Sequence, residues 1–175
     1  PEFFHTVVQF FLSSAIEKFY PGLSRRLLDL PVVNRTGSIS HDSGACLTDF
    51  QIVANLPVSD YHSSRTPHLD NPQQLYAFLY YMRSSDDESI GGGLNLYKPL
   101  PPALSVPHAR GRSLDRSFLE HRYTLNYEPN TAILFLNTRG SYHSVQPIFS
   151  QTILRRSVNI IGELPPGSRL FKLND

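Results

Sequence analysis

A chain of 175 residues with 40% hydrophobic and 18% charged residues has the composition of one globular domain, large enough to bury about two-thirds of its unfolded surface. A formal net charge of +1 gives no electrostatic reason to expect nucleic acid or an acidic membrane as the main partner. One cysteine, Cys46, excludes an internal disulfide framework and a cysteine-based zinc site, and no apolar run approaches the ~20 residues that cross a bilayer.

The opening stretch PEFFHTVVQFFLSSAIEKFY is apolar but lacks a basic leading region, and Glu17 and Lys18 interrupt it. It therefore reads as part of a soluble, cytoplasmic protein rather than as a secretion signal. Phe3, Val7, Phe10, Phe11, Ala15 and Phe19 recur at helical spacing, which predicts an amphipathic helix over 3–19 ended by Tyr20-Pro21-Gly22. LSRRLLDLP adds a short helical turn closed by Pro31. Short β-rich runs follow at 50–58, 75–83, 93–100, 122–127, 131–138, 143–149 and 155–164, broken by Gly, Pro, Asn and Ser. YEPNT, with Pro129 and Asn130, supplies a hairpin turn between two of them.

One or two helices followed by seven or eight strands predict a single mainly β domain over 1–175, a sandwich or barrel. A helical buttress would occupy about 1–30 and the β core about 47–164. The segment 99–118, PLPPALSVPHARGRSLDRSF, is rich in Pro and Arg and has no periodicity. A connection of that length reads either as a functional lid or as disorder.

RTPHLDNPQQLYAFLYYMR, residues 65–83, places His68 and Asp70 two apart before an apolar run. Side chains at i and i+2 of an extended segment point the same way, so the two can converge on one point. Alone they also read as a polar turn. Two histidines and a carboxylate on one face of an octahedral ion leave three positions open, the arrangement of non-haem Fe(II) oxygenases. Seven histidines are available in the chain. Such an enzyme also needs a group for a co-substrate's far carboxylate. Arg155 and Ser157, again i and i+2, supply a guanidinium and a hydroxyl on one face.

HLD, then HSVQP, then RRS resembles the motif order of the Fe(II)- and 2-oxoglutarate-dependent dioxygenases. HLDNP, the YYM pair, GGGLNLY at 91–97 and HSVQP resemble the prolyl-hydroxylase branch in particular, over about residues 50–162. The resemblance implies a double-stranded β-helix (jelly-roll, cupin-like) core. It implies that His68, Asp70 and His143 bind Fe(II), and that Arg155, helped by Ser157 and the Tyr81 hydroxyl, binds the far carboxylate of 2-oxoglutarate. The spacing from His143 to Arg155 is longer than in prolyl hydroxylases, so Arg156 stays open as the anchor. Asn55 and Tyr61 are candidates for the other end of the co-substrate. Adjacent strand residues face opposite ways, which assigns Tyr80 to the core. Gly91, Gly92 and Gly93 read as a turn.

The activity implied is hydroxylation of a C–H bond with O2, releasing succinate and CO2, with ascorbate as a supporting reductant. The substrate class is an amino-acid or peptidyl group, or a small metabolite that the basic segment 108–116 would hold. The alternatives are a non-catalytic jelly-roll protein that binds metal and 2-oxoglutarate as a sensor, and a Zn or Mn hydrolase or isomerase that gives Arg155 and Ser157 no role. Shared cofactor motifs do not choose among substrates.

Overall fold

Residues 49–55 alternate in burial, as a strand with one covered face must. The computed structural model describes residues 1–35, 44–57, 66–101 and 113–172. Ten strands occur among them: β1 (Val32–Asn34), β2 (Cys46–Asn55), β3 (Gln74–Tyr81), β4 (Ile90–Gly91), β5 (Leu94–Pro99), β6 (Leu119–Leu125), β7 (Thr131–Leu136), β8 (His143–Val145), β9 (Ile148–Phe149) and β10 (Arg155–Glu163). A five-stranded sheet runs in the order β1-β2-β10-β3-β7, a three-stranded sheet in the order β6-β5-β8, and β4 pairs with β9 alone. β1 is parallel to β2, and the other pairings are antiparallel. The protein is mainly β with helices at its N-terminal end.

The two larger sheets meet through one apolar cluster. Tyr81 and Leu79 of β3, Ile133 and Phe135 of β7, Leu94 and Leu96 of β5, Leu125 of β6 and the loop residue Tyr127 pack together there. The helices pack elsewhere. Phe4, Val8, Leu12 and Ile16 join Leu27, Tyr76 and Leu136 in a second cluster that covers one end of the five-stranded sheet. A third, around Leu69, Leu114, Leu119 and Tyr142, holds the loop before β3 against the start of β6. Among the described residues no helix is long and apolar enough to cross a membrane. Cys46 is fully buried, and burial pushes its thiol up to about 11, which favours the protonated form at neutral pH.

Four expectations change. The helical face is not the one that 3.6-residue spacing selects. Residues 2–6 and 13–19 are α-helical, but Val7–Leu12 form a π-helical stretch between them. Its wider i→i+5 turns shift the phase. Phe4, Val8, Leu12 and Ile16 turn inward at a spacing of four, while Phe10, Phe11 and Phe19 are exposed. The run 143–149 is two strands rather than one. Pro147 has no N–H to donate, and the chain leaves β5 at Val145 to pair with β4 from Ile148. Tyr80, expected in the core, is only half-buried with its hydroxyl donating to Asn130 at 2.8 Å, and Tyr81 is the buried member of the pair. Most of the segment 99–118, residues 102–112, lies outside the described residues, and its two ends pack on the fold. The Leu100 N–H donates to Phe118, and Leu114 is buried in the third cluster.

Gly162 of β10 lies opposite Tyr76 of β3, whose ring is fully buried. A Cβ on Gly162 would stand 2.2 Å from that ring, which has no open side to move into. Gly162→Ala is therefore expected to cost about 1–3 kcal/mol through overpacking. The measurement is the urea midpoint, with an unchanged slope marking a pure stability loss.

Candidate metal centre

His68 and His143 lie 75 positions apart and are joined by backbone. The His68 N–H donates to the His143 carbonyl at 3.0 Å and the His143 N–H returns the bond at 3.1 Å. His143 opens β8, which is held on β5 through the pair Leu96 and His143. Both imidazoles are then fixed in the same way. His68 Nδ1 lies 2.9 Å from the Thr66 carbonyl, and His143 Nδ1 lies 2.9 Å from the Ser141 carbonyl, each two residues upstream. A carbonyl can only accept, so each Nδ1 carries the hydrogen and the Nε2 lone pair is left for another partner. The ring of Phe135, on β7, packs 4.9 Å from that of His143.

Both Nε2 atoms face Asp70. His68 Nε2 is 3.9 Å from one carboxylate oxygen and His143 Nε2 is 3.7 Å from the other. These separations are too long for hydrogen bonds. They suit donors that share an ion, since ligands at ~2.1 Å from one centre stand ~3–4 Å apart. One ligand atom from each of the three residues lies within 4.8 Å of the others. Two imidazoles and one carboxylate on a single side, tied from behind, fit a first-row divalent metal with open positions facing away from them. Among the described residues Asp70 makes no ion pair with Lys or Arg that would compete.

The triad lines a cleft of about 840 Å³ that also contains Arg155, Ser157 and Tyr81. Strand alternation puts Arg155 and Ser157 on the cleft side of β10, both buried, and leaves Arg156 exposed on the other side. Across the ladder Arg155 stands opposite Asn55 of β2, and Ser157 opposite Tyr81 of β3. Arg155 Nη1 donates to Asn55 Oδ1 at 3.2 Å and Nη2 donates to the Gly92 carbonyl at 2.6 Å. Its Nε is buried without a partner. Its guanidinium carbon lies 5.2 Å from the centre of the Tyr81 ring and 4.6 Å from that of Tyr127. Burial pushes the Tyr81 hydroxyl above its usual range, and Arg155 opposes that shift. The phenol therefore stays protonated and able to donate. Ser157 Oγ donates to Asn159 Oδ1 at 3.4 Å.

A buried guanidinium is costly unless an anion compensates it. Among the described residues no carboxylate lies within ion-pair distance of Arg155. The arrangement can therefore accept an anionic group from outside the chain while a metal is held at the other site in the same cleft.

Of the remaining histidines, His5 lies 3.3 Å from the Leu30 carbonyl and His121 bonds to Thr124, both away from the cleft. His41, His62, His108 and Tyr61 lie outside the described residues, as does most of the basic segment 108–116. Asn55 sits against the Arg155 guanidinium rather than beside the triad. Two residues escaped the reading of the sequence. Gly92, at φ +77°, is a wall of the Arg155 pocket as well as a turn, because a Cβ there would stand 3.0 Å from Arg155 Nε. Tyr127 ends a β-rich run, and no local pattern couples it to Arg155.

No known protein family matches the chain, and no curated protein does. Among solved structures, a chain from the disulfide-linked pili of Bacillus endospore appendages is similar over 74% of this chain and 97% of its own, at 10% identity and a TM-score of 0.34.

Proposed function

We propose that the protein is an Fe(II)- and 2-oxoglutarate-dependent dioxygenase built on a double-stranded β-helix core. The observation that carries this reading is the pairing of two features in one cleft: three convergent metal donors and a buried arginine that lacks an acid partner. The fold reading draws on two mainly antiparallel sheets meeting through one apolar cluster, with the metal donors at the mouth between them.

In this reading His68 Nε2, His143 Nε2 and the Asp70 carboxylate hold Fe(II). Bound there with O2, iron supplies the oxidising chemistry that couples decarboxylation of 2-oxoglutarate to succinate and CO2 with hydroxylation of a C–H bond. The chain's own residues bind and orient. Arg155 receives the far carboxylate of 2-oxoglutarate by charge-assisted hydrogen bonds, and the Tyr81 and Ser157 hydroxyls donate beside it. Leu79, Leu94, Val145 and Ile148 line the cleft with aliphatic surface that limits water around the reacting groups. The substrate is an amino-acid or peptidyl group, or a small metabolite. Ascorbate would keep the iron reduced.

The test is succinate formation by the purified protein with Fe(II), ascorbate, O2 and 2-oxoglutarate, read by NMR. Turnover that stops under argon or with a chelator is expected. An oxoglutarate-dependent change in the metal spectrum without succinate would favour a non-catalytic binding protein. The absence of both signals would overturn the proposal, as would activity that is independent of O2.

A further inference from the structure

We propose that Tyr127 is a positioning residue for the anion-binding arginine, holding Arg155 without neutralising it. The inference rests on the co-substrate reading above. It begins from a hydrogen-bond exchange that ordinary sheet pairing does not explain. Tyr127 lies in the loop between β6 and β7 and its ring is buried. Its hydroxyl accepts from the Arg156 N–H at 3.0 Å and donates to the Arg156 carbonyl at 3.1 Å. The register between β10 and β3 begins one residue later, at Ser157 and Tyr81. Past that pair the Arg156 carbonyl also accepts from the Met82 N–H at 3.1 Å, while the Arg156 N–H has the phenol oxygen as its partner, so Tyr127 takes the place of a strand carbonyl there. It fixes the peptide plane that joins Arg156 to Arg155, and with it the direction in which the Arg155 side chain leaves the strand.

The ring then holds the other end. The Arg155 guanidinium carbon is 4.6 Å from its centre, within cation–π range, and the Tyr81 ring meets the Tyr127 ring edge-on at 5.1 Å. Tyr127 is in turn held by Arg83, which donates to the carbonyls of Tyr127 at 2.9 Å, Asp87 at 2.8 Å and Ser89 at 2.8 Å. Arg83 has an acid nearby, with its Nε 3.8 Å from the Asp87 carboxylate. Arg155 has none among the described residues. A carboxylate beside Arg155 would position it equally well but would compete with the incoming anion. An aromatic quadrupole attracts the guanidinium and adds no net charge, so the whole positive charge stays available for a ligand.

The experiment compares two 2-oxo acids in the manganese-loaded protein: 2-oxoglutarate, and 2-oxobutyrate, which lacks the far carboxylate. The wild type should prefer 2-oxoglutarate strongly. Tyr127→Leu, which removes ring and hydroxyl, is expected to weaken 2-oxoglutarate by about 10- to 30-fold while changing 2-oxobutyrate by less than about 3-fold. Tyr127→Phe keeps the ring and loses only the bonds to Arg156, so about 3- to 10-fold is expected, again confined to 2-oxoglutarate. Manganese affinity should be unchanged in both. An equal loss for both acids marks a structural role and overturns the proposal, as does an unchanged preference in both variants. If Tyr127→Leu fails to fold, Tyr127→Phe decides by the same ratio. A wild type with no preference between the acids would overturn the co-substrate reading itself, and this inference with it.

Discussion

Asp70→Ala is expected to reduce succinate formation by more than about 10³-fold and to weaken Fe(II) or Mn(II) binding in parallel. Asp70 is the single anionic donor of the triad, and its loss leaves two neutral imidazoles facing an open cleft. Residues that merely support metal ligands cost about 10–100-fold when removed, so a ligand itself should cost more. The metal-free fold should hardly notice. Asp70 belongs to none of the three apolar clusters and keeps part of its surface in water, which places the stability change within about 1 kcal/mol. Succinate release and the urea midpoint of the metal-free protein, measured on the same preparation, separate the two effects. Retained turnover in a well-folded Asp70→Ala protein would remove the carboxylate from the ligand set. His143→Ala is the less clean variant, because it also strips a ring packed on Phe135.

The second large effect belongs to Arg155. Arg155→Ala should raise the 2-oxoglutarate KM by about 30-fold or more, since truncating one partner of a buried charge pair costs about 2–5 kcal/mol. Metal affinity should stay within a factor of two, because no triad atom contacts the guanidinium. Arg156→Ala serves as the internal control. Its side chain lies on the exposed face of β10, and a change below about 2-fold is expected, in line with a solvated surface charge. Arg155→Lys should recover only part of the loss, as an ammonium cannot present the planar fork that Arg155 holds between Asn55 and Gly92. Titration of 2-oxoglutarate at fixed iron measures all three. A large effect at Arg156 with none at Arg155 would reverse the assignment of faces.

What could be read from the residues alone was whatever repeats with a period or sits within two positions. Alternation along 155–157 selects the face shared by Arg155 and Ser157, and His68-x-Asp70 meets the same rule. The longer strands were legible because their apolar runs are bounded by turn residues. β1 and β4, at three and two residues, are too short to carry a pattern. The leading helix was placed correctly, and Val7 and Ala15 of its expected stripe do meet the core, but Phe3, Phe10, Phe11 and Phe19 face outward, and the π-helical stretch in the middle has no established sequence mark. Gly92 and Tyr127 were missed for a different reason. Each reaches Arg155 from a loop more than 25 positions away, and such contacts exist only after the sheets have closed.

The mutual backbone bridge of His68 and His143 has a consequence for how the protein is made. The pair closes a loop of 75 positions, so the metal donors are far apart in any chain that has formed only its local hairpins. Contacts of such high sequence separation are among the last to be secured during folding, because the closure entropy must be met first. A partly folded molecule therefore offers Asp70 and at most one well-placed imidazole. If the triad holds a divalent ion as proposed, its capture at full affinity would report that the seam between the loop before β3 and β8 has sealed. Such an ion would stabilise the finished state by mass action and do little for its precursors. Metal uptake in the cell would then distinguish completed molecules from stalled ones.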